Sequence, residues 1–271
     1  MTRMRLKSKR TAFLTVLLLS ALLSPVGNAD TFFGTAPTGL LELQEYRYPV
    51  YLYVPQNYKP DRSYPLIISI PAEGESPEKH IQYWMSWAKR RSMMVLCPTN
   101  LRPEDLPANM DRWVLQIKSD LMRRYKIDPS KIFLTGRDGG AHYAAYLGVN
   151  YPEEFSAAAL LNGAWPGRFE KLLVPSRRPV KQIPFLVVAP AGDEGRIKDI
   201  EESALALEKK GYPITLMKVK SGEQIDSDAF KSKVIEWMQE RSDSWMRVVH
   251  ESQKSFKEKT FTWFENFFHV N

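Results

Sequence analysis

The stretch "LTGRDGGAHYAAYL", residues 134–147, runs from a strand end through a tight glycine turn into a helix of small residues. Gly136, Gly139 and Gly140 allow a turn that bulkier residues would block, and the residue that such a turn presents is Asp138. A carboxylate in that place has more than one use. It can attack as a nucleophile, which needs no base for the attack but needs one to be regenerated, or serve as a base. It can also simply cap the helix that begins at "GGAHYAAYL", accepting amide hydrogen bonds at its N-terminus.

Outward from this turn, apolar and β-branched runs recur: "YPVYLYVP" (48–55), "PLIISI" (65–70), "MMVLCP" (93–98), "KIFLTG" (131–136), "AAALLN" (157–162), "PFLVVAP" (184–190) and "ITLMKV" (214–219). From the second onward they are mostly continuous rather than alternating, which suits strands covered on both faces of a parallel sheet. Helical stripes fall between them: Ile81, Trp84, Met85 and Ala88; Trp113, Ile117 and Leu121; Phe230, Val234 and Met238. The alternation predicts an α/β class fold, a mostly parallel doubly wound sheet flanked by helices. The longest irregular piece, about 163–183, is too short for a lid domain. The last thirty or so residues place Trp245, Val249, Phe256, Trp263, Phe264, Phe267 and Phe268 at helical spacing. They read as an extra amphipathic helix, packed back on the domain or, alternatively, touching a membrane surface or a partner.

With 271 residues, 44% of them hydrophobic, the chain can bury one substantial core, and one main domain is expected. Residues 1–29 have five basic residues (Arg3, Arg5, Lys7, Lys9, Arg10), an apolar run from Ala12 to Leu23 and small residues ending at Ala29. That is the layout of an export signal, read as cleaved after Ala29, with an uncleaved anchor as the alternative. The expected divisions are residues 1–29, a domain over 30–240 and an extension over 241–271, with the mature protein periplasmic or secreted. Removing the signal takes five of 38 basic residues and none of the 31 acidic ones, so the formal charge falls from +7 to +2. The basic excess belongs to the signal, which leaves no basic face to argue for nucleic acid. Cys97 is the single cysteine and reads as a buried thiol. The four histidines and Cys97 never cluster at ligand spacing, so neither a metal nor a cofactor is expected, and "GRDGGA" lacks both the dinucleotide spacing and the lysine of a phosphate loop. His250 and His269, on the tail, carry no chemistry in this reading.

From about Tyr46 to about Met238, with "DPSKIFLTGRDGGAHYAAYLGVNYPEEFSAAALLNGAW" at its centre, the chain resembles the α/β-hydrolase family, and within it exported esterases of the polyhydroxybutyrate depolymerase, feruloyl esterase and esterase D kind. The resemblance implies a nucleophile elbow G-x-S-x-G, which here reads Gly136, Arg137, Asp138, Gly139, Gly140. It implies a triad acid in "FLVVAPAGDEGR", at Asp193, and a histidine after the last strand, where "KVKSGEQIDSDAF" has Gln224 instead. Glutamine does not take up and return a proton near neutral pH. It also implies a His-Gly oxyanion loop, replaced here by Pro71 and Ala72; Pro71 has no amide hydrogen, while Ala72, Glu73 and, after the elbow, Gly139 have one. Nothing in the sequence places His80 at the site. His142 lies one helical turn beyond Asp138 and reads as packing, with a catalytic role as the alternative.

Two functions follow. One is a degenerate hydrolase that has lost ordinary triad chemistry and binds an ester-like small molecule or a protein partner. The other is an active carboxylic-ester hydrolase in which Asp138 is nucleophile or base, Asp193 its acidic partner, and His142 or another residue completes the set.

Overall fold

The computed structural model describes residues 36–100, 112–164 and 182–243. The expected export segment, most of the irregular stretch 163–183 and the aromatic tail with His250 and His269 lie outside the described residues. The eight strands are β1 (Gly39–Glu42), β2 (Val50–Val54), β3 (Tyr64–Ile70), β4 (Met94–Pro98), β5 (Ile127–Arg137), β6 (Ala157–Leu161), β7 (Phe185–Ala189) and β8 (Ile214–Lys218). They form one sheet in the order β1-β2-β4-β3-β5-β6-β7-β8. β1 and β2 are antiparallel to their neighbours, and β4, β3 and β5 to β8 run parallel. The helices are α1 (Pro77–Arg91), α2 (Trp113–Arg124), α3 (Gly139–Asn150), α4 (Glu194–Lys209) and α5 (228–243). The expected boundary at residue 240 falls inside α5.

Each strand segment read from the sequence is present, and the parallel pairing begins with β3, where the apolar runs become continuous. β1 was not anticipated, because four residues reading Gly-Leu-Leu-Glu on a sheet edge carry too little pattern to separate from a loop. β5 also starts earlier than its apolar run. It crosses "DPS", a sequence that reads as a turn, with Asp128 accepting from the Ser130 amide at 2.9 Å and its hydroxyl at 2.6 Å, and the pairing with β3 shifts register there.

The side chains of β3 alternate between two cores. Leu66, Ile68 and Ile70 join α2, α3 and α4 through Ile117, Leu121, Ala144, Leu147, Ile200 and Leu207. Ile67 faces the other way, toward α1 and α5, among Ile81, Trp84, Ala88, Phe230, Val234 and Met238. The helical stripes seen in the sequence are therefore the faces laid on the sheet, and each large apolar side chain so buried contributes about 1.5–3 kcal/mol. Cys97 is fully buried in the second core, and burial pushes its thiol pKa up, which makes it a packing residue.

The turn between β5 and α3 brings glycines closest to backbone among the described residues. A Cβ on Gly140 would lie 2.2 Å from the Pro71 carbonyl oxygen and 2.4 Å from that of Ile70, and one on Gly136 would lie 2.1 Å from the Gly140 oxygen. All of these are backbone atoms, at the end of β3 and the start of α3, so no side chain can swing aside. Gly140→Ala is expected to lower stability by about 3 kcal/mol or more, or to prevent folding, as read by thermal denaturation; an unchanged midpoint would show that the turn can yield.

Candidate functional site

Asp138 sits at the tip of this turn with φ 51° and ψ −120°, a conformation that L residues rarely adopt. Such backbone costs about 1–3 kcal/mol and persists only where the surroundings impose it. Here they do: the Asp138 amide donates to the Leu161 carbonyl at 2.9 Å, its own carbonyl accepts from Ala141 at 3.0 Å, and Gly163 leaves room for that carbonyl, which a Cβ there would meet at 2.6 Å. The turn has the form of an elbow that lifts its central side chain clear of the sheet.

The side chain does not cap α3. Asp138 occupies the capping position, yet its carboxylate accepts no amide hydrogen bond from the helix, so the capping reading is corrected. The backbone conformation carries the carboxylate elsewhere. Its Oδ1 accepts from Arg196 Nη2 and from Asn162 Nδ2, both at 2.5 Å, and its Oδ2 lies 3.6 Å from Arg137 Nε. The same Arg196 Nη2 also donates to the Asn162 carbonyl at 2.9 Å. Asn162, just past the end of β6 with φ 56°, thus supplies an amide to the carboxylate and a carbonyl to the guanidinium.

Neither Arg196 nor Asn162 was identified from the sequence. Arg196 arrives because Asp193, just before α4, accepts the Arg196 amide at 3.0 Å and caps that helix, leaving the arginine side chain to reach back toward the elbow. Asp193, expected as the triad acid, is exposed, and its described link to Asp138 runs through Arg196. The only sequence signal was an arginine three residues after that acid, and nothing in the sequence says where such a side chain points.

The loop after β8 approaches the elbow through another residue than the one expected. Gln224 is exposed, and the ionic approach comes from Asp226, whose Oδ1 lies 3.9 Å from Arg137 Nη1. The loop is fixed to α1 by Tyr83, whose hydroxyl donates to the Ile225 carbonyl at 2.7 Å; burial pushes the pKa of this phenol up, so it remains a donor. Lys231 on α5 stacks over the Tyr83 ring at 4.4 Å from its centre, with burial pushing its pKa down. His142 is half-buried on the first turn of α3.

The loop following β3 carries the other surprise. The Ala72 amide, expected as an oxyanion donor, donates to Glu75 Oε2 at 3.2 Å. Glu73 is exposed, and its Cβ lies 3.4 Å from where a Gly139 Cβ would be, so this loop covers the start of α3. Behind it, Glu75 Oε2 and His80 Nδ1 are 2.9 Å apart, His80 Nε2 and Ser69 Oγ are 2.8 Å apart, and Trp84 Nε1 donates to Ser69 Oγ at 2.8 Å. His80, which nothing in the sequence places at the elbow, lies directly behind the loop after β3. The hydrogen bond with His80 is the largest influence lowering the Glu75 pKa. An ionised Glu75 can only accept, so His80 donates to it from Nδ1, while its Nε2 shares a hydrogen bond with the Ser69 hydroxyl. The order serine, imidazole, carboxylate is that of a hydrolytic triad, but Ser69 is 1% exposed and His80 2%, so no substrate carbonyl reaches them.

Among the described residues, no three histidine, cysteine or carboxylate side chains are grouped to hold a metal, and no helix is long and apolar enough to cross a membrane.

No protein-family model matches the chain, and no curated protein sequence matches it. Solved structures do. A thermostable esterase is similar with 21% identity and a TM-score of 0.53 over 76% of this chain and 62% of the esterase, so the chain spans less than two thirds of that protein. The Francisella virulence factor BioJ is similar with 13% identity and a TM-score of 0.57, covering 76% of this chain and 85% of BioJ. An esterase of the archaeon Pyrobaculum calidifontis is similar with 13% identity and a TM-score of 0.57, covering 77% and 87%. At these identities the likeness concerns architecture alone.

Two outcomes follow from the geometry. The Arg196 and Asp138 side chains are 44% and 29% exposed, so their ion pair is screened by water. Arg196→Ala is expected to cost about 1 kcal/mol in urea denaturation, and a cost of zero would mean that Asn162 alone orients the carboxylate. For Glu75, a folded-state pKa held below the ordinary glutamate value stabilises the fold above that value, and the contribution disappears as pH falls through the lowered one. The stability advantage of wild type over Glu75→Gln is therefore expected to be full at neutral pH and to shrink in acid, below the glutamate range. A gap independent of pH would contradict the ionised assignment.

Proposed function

Because this chain has the α/β-hydrolase fold, we propose that it is a hydrolase scaffold that has lost ordinary serine-esterase chemistry and works by binding an ester-like small molecule or a protein partner at the mouth around Asp138. The observation that carries this reading is the state of the elbow side chain. The carboxylate oxygen that would attack is held by a guanidinium and an amide, Arg196 and Asn162. Charge-assisted bonds of this kind draw electron density from the oxygen and fix its direction, both of which oppose nucleophilic attack.

Regeneration would fail as well. An ester formed on Asp138 needs an activated water, and the loop where this fold carries its histidine offers Gln224, which holds no titrating nitrogen. Asp193 is engaged as a helix cap, and the Ala72 amide as a donor to Glu75. Each part of the ordinary apparatus is thus either replaced or used for structure, while the strained turn that would display it is kept. The export signal at residues 1–29 supports placing this activity in the periplasm or outside the cell, with the aromatic tail as a further candidate contact surface.

The test compares hydrolysis of short-chain nitrophenyl esters by wild type, by Asp138→Ala, and by Asp138→Ser combined with Gln224→His. The expected result is a silent wild type and measurable turnover in the double variant. Turnover by wild type that disappears in Asp138→Ala would overturn the proposal in favour of an aspartate-based esterase.

A further inference from the structure

Resting on the reading of a lost hydrolase, we infer that Glu75 is a positioning residue that holds the loop after β3 closed on itself, so that the Ala72 amide is withheld from any ligand oxygen at the elbow. One carboxylate oxygen, Oε2, takes both the Ala72 amide at 3.2 Å and the His80 imidazole at 2.9 Å. The loop is closed a second time through its backbone, the Glu75 amide donating to the Ala72 carbonyl at 3.1 Å. Its far end is fixed by Asn100, whose side-chain amide donates to the Pro71 carbonyl at 2.9 Å.

The arrangement is stiff because its back is buried. His80 is held from both sides, by Glu75 and by Ser69, and Ser69 is fixed in turn by Trp84, which is fully buried. The imidazole therefore cannot swing away, and the carboxylate bonded to it stays where the Ala72 amide meets it. The titratable groups that bear on Glu75 come from three directions: His80 on α1, Arg137 at the end of β5, which also favours the ionised form, and the Cys97 thiol on β4, whose ionisation Glu75 opposes. A ligand carbonyl at the elbow is a neutral acceptor, and it has to compete for the Ala72 hydrogen with an anion already seated on it. The clamp is therefore a third departure from ester hydrolysis, independent of the missing serine and histidine.

The experiment follows the Ala72 amide resonance against pH in the full-length protein. In wild type its proton is expected to shift as Glu75 protonates, with a midpoint below the ordinary glutamate value. In Glu75→Gln the transition is expected to vanish, and in His80→Gln its midpoint is expected to rise. A wild-type Ala72 resonance that does not titrate, or one that titrates identically in Glu75→Gln, would overturn the clamp. This readout needs no catalysis. The second arm adds Glu75→Ala to the variant with Asp138→Ser and Gln224→His, where freeing one oxyanion donor is expected to raise kcat by on the order of tenfold to a hundredfold with little change in KM. An unchanged kcat in an active double variant would show that the amide was not withheld. Wild-type turnover that disappears in Asp138→Ala would overturn the lost-hydrolase reading on its own, and the Ala72 titration would still decide the clamp.

Discussion

The architecture of the site depends on a backbone contact. Gly140 lies so close to the carbonyls of Ile70 and Pro71, and Gly136 to that of Gly140, that a methyl group at either position would overlap main-chain oxygen. This contact fixes the end of β3, the end of β5 and the start of α3 as one unit. It forces Asp138 into a strained conformation and presses the loop after β3 onto the helix start. None of this depends on which side chain occupies position 138. The strain is a property of the chain path and of the glycines around it, so the scaffold sets where the tip side chain goes whatever its chemistry.

What the carboxylate does change is the electrostatics of the mouth. A charge lifted onto an elbow needs partners, and here they come from beyond the ends of three different strands: Arg137 at the end of β5, Asn162 just past β6 and Arg196 in the first turn of α4, the helix that follows β7. In a parallel sheet all these strand ends open on one side, which is why residues far apart in sequence converge on one oxygen. Asp193 takes its meaning from the same geometry. By capping α4 it sets the direction in which Arg196 leaves the helix, and so a residue that resembles a triad acid acts on Asp138 through a guanidinium rather than through an imidazole.

The sequence made the sheet legible wherever strands were covered on both faces, because burial on both sides erases polar residues and leaves runs such as "PLIISI" and "PFLVVAP". It made the elbow legible because only glycine tolerates such close approach. It could not reveal Arg196 or Asn162, whose bonds to Asp138 span 58 and 24 positions and depend on the strand order. The His80 cluster was hidden for a different reason. Ser69 and His80 are 11 positions apart and Glu75 and His80 five, so the separation is local. Whether they meet depends on which face of β3 looks toward α1. In "LIISI" that is the face of Ile67 and Ser69, and a serine among isoleucines on a buried strand was the one available sign that something polar lay opposite.

Two arrangements stand side by side, the elbow around Asp138 and the Ser69, His80 and Glu75 set behind it, and the proposed reading assigns catalysis to neither. At the elbow the position is right, since Asp138 is partly exposed on the strained turn, but the oxygen that would attack is tied to a cation. In the wall behind the loop after β3 the chemistry is right, since a serine hydroxyl, an imidazole and a carboxylate follow one another at 2.8 and 2.9 Å, but Ser69 and His80 are sealed from solvent and Trp84 donates to the serine oxygen. Distances alone would rank the buried set first. Accessibility reverses that ranking, because a nucleophile has to meet a substrate as well as a base. The buried set is better understood as a brace that shapes the loop in front of it, and the exposed set as the place where a ligand would meet the protein.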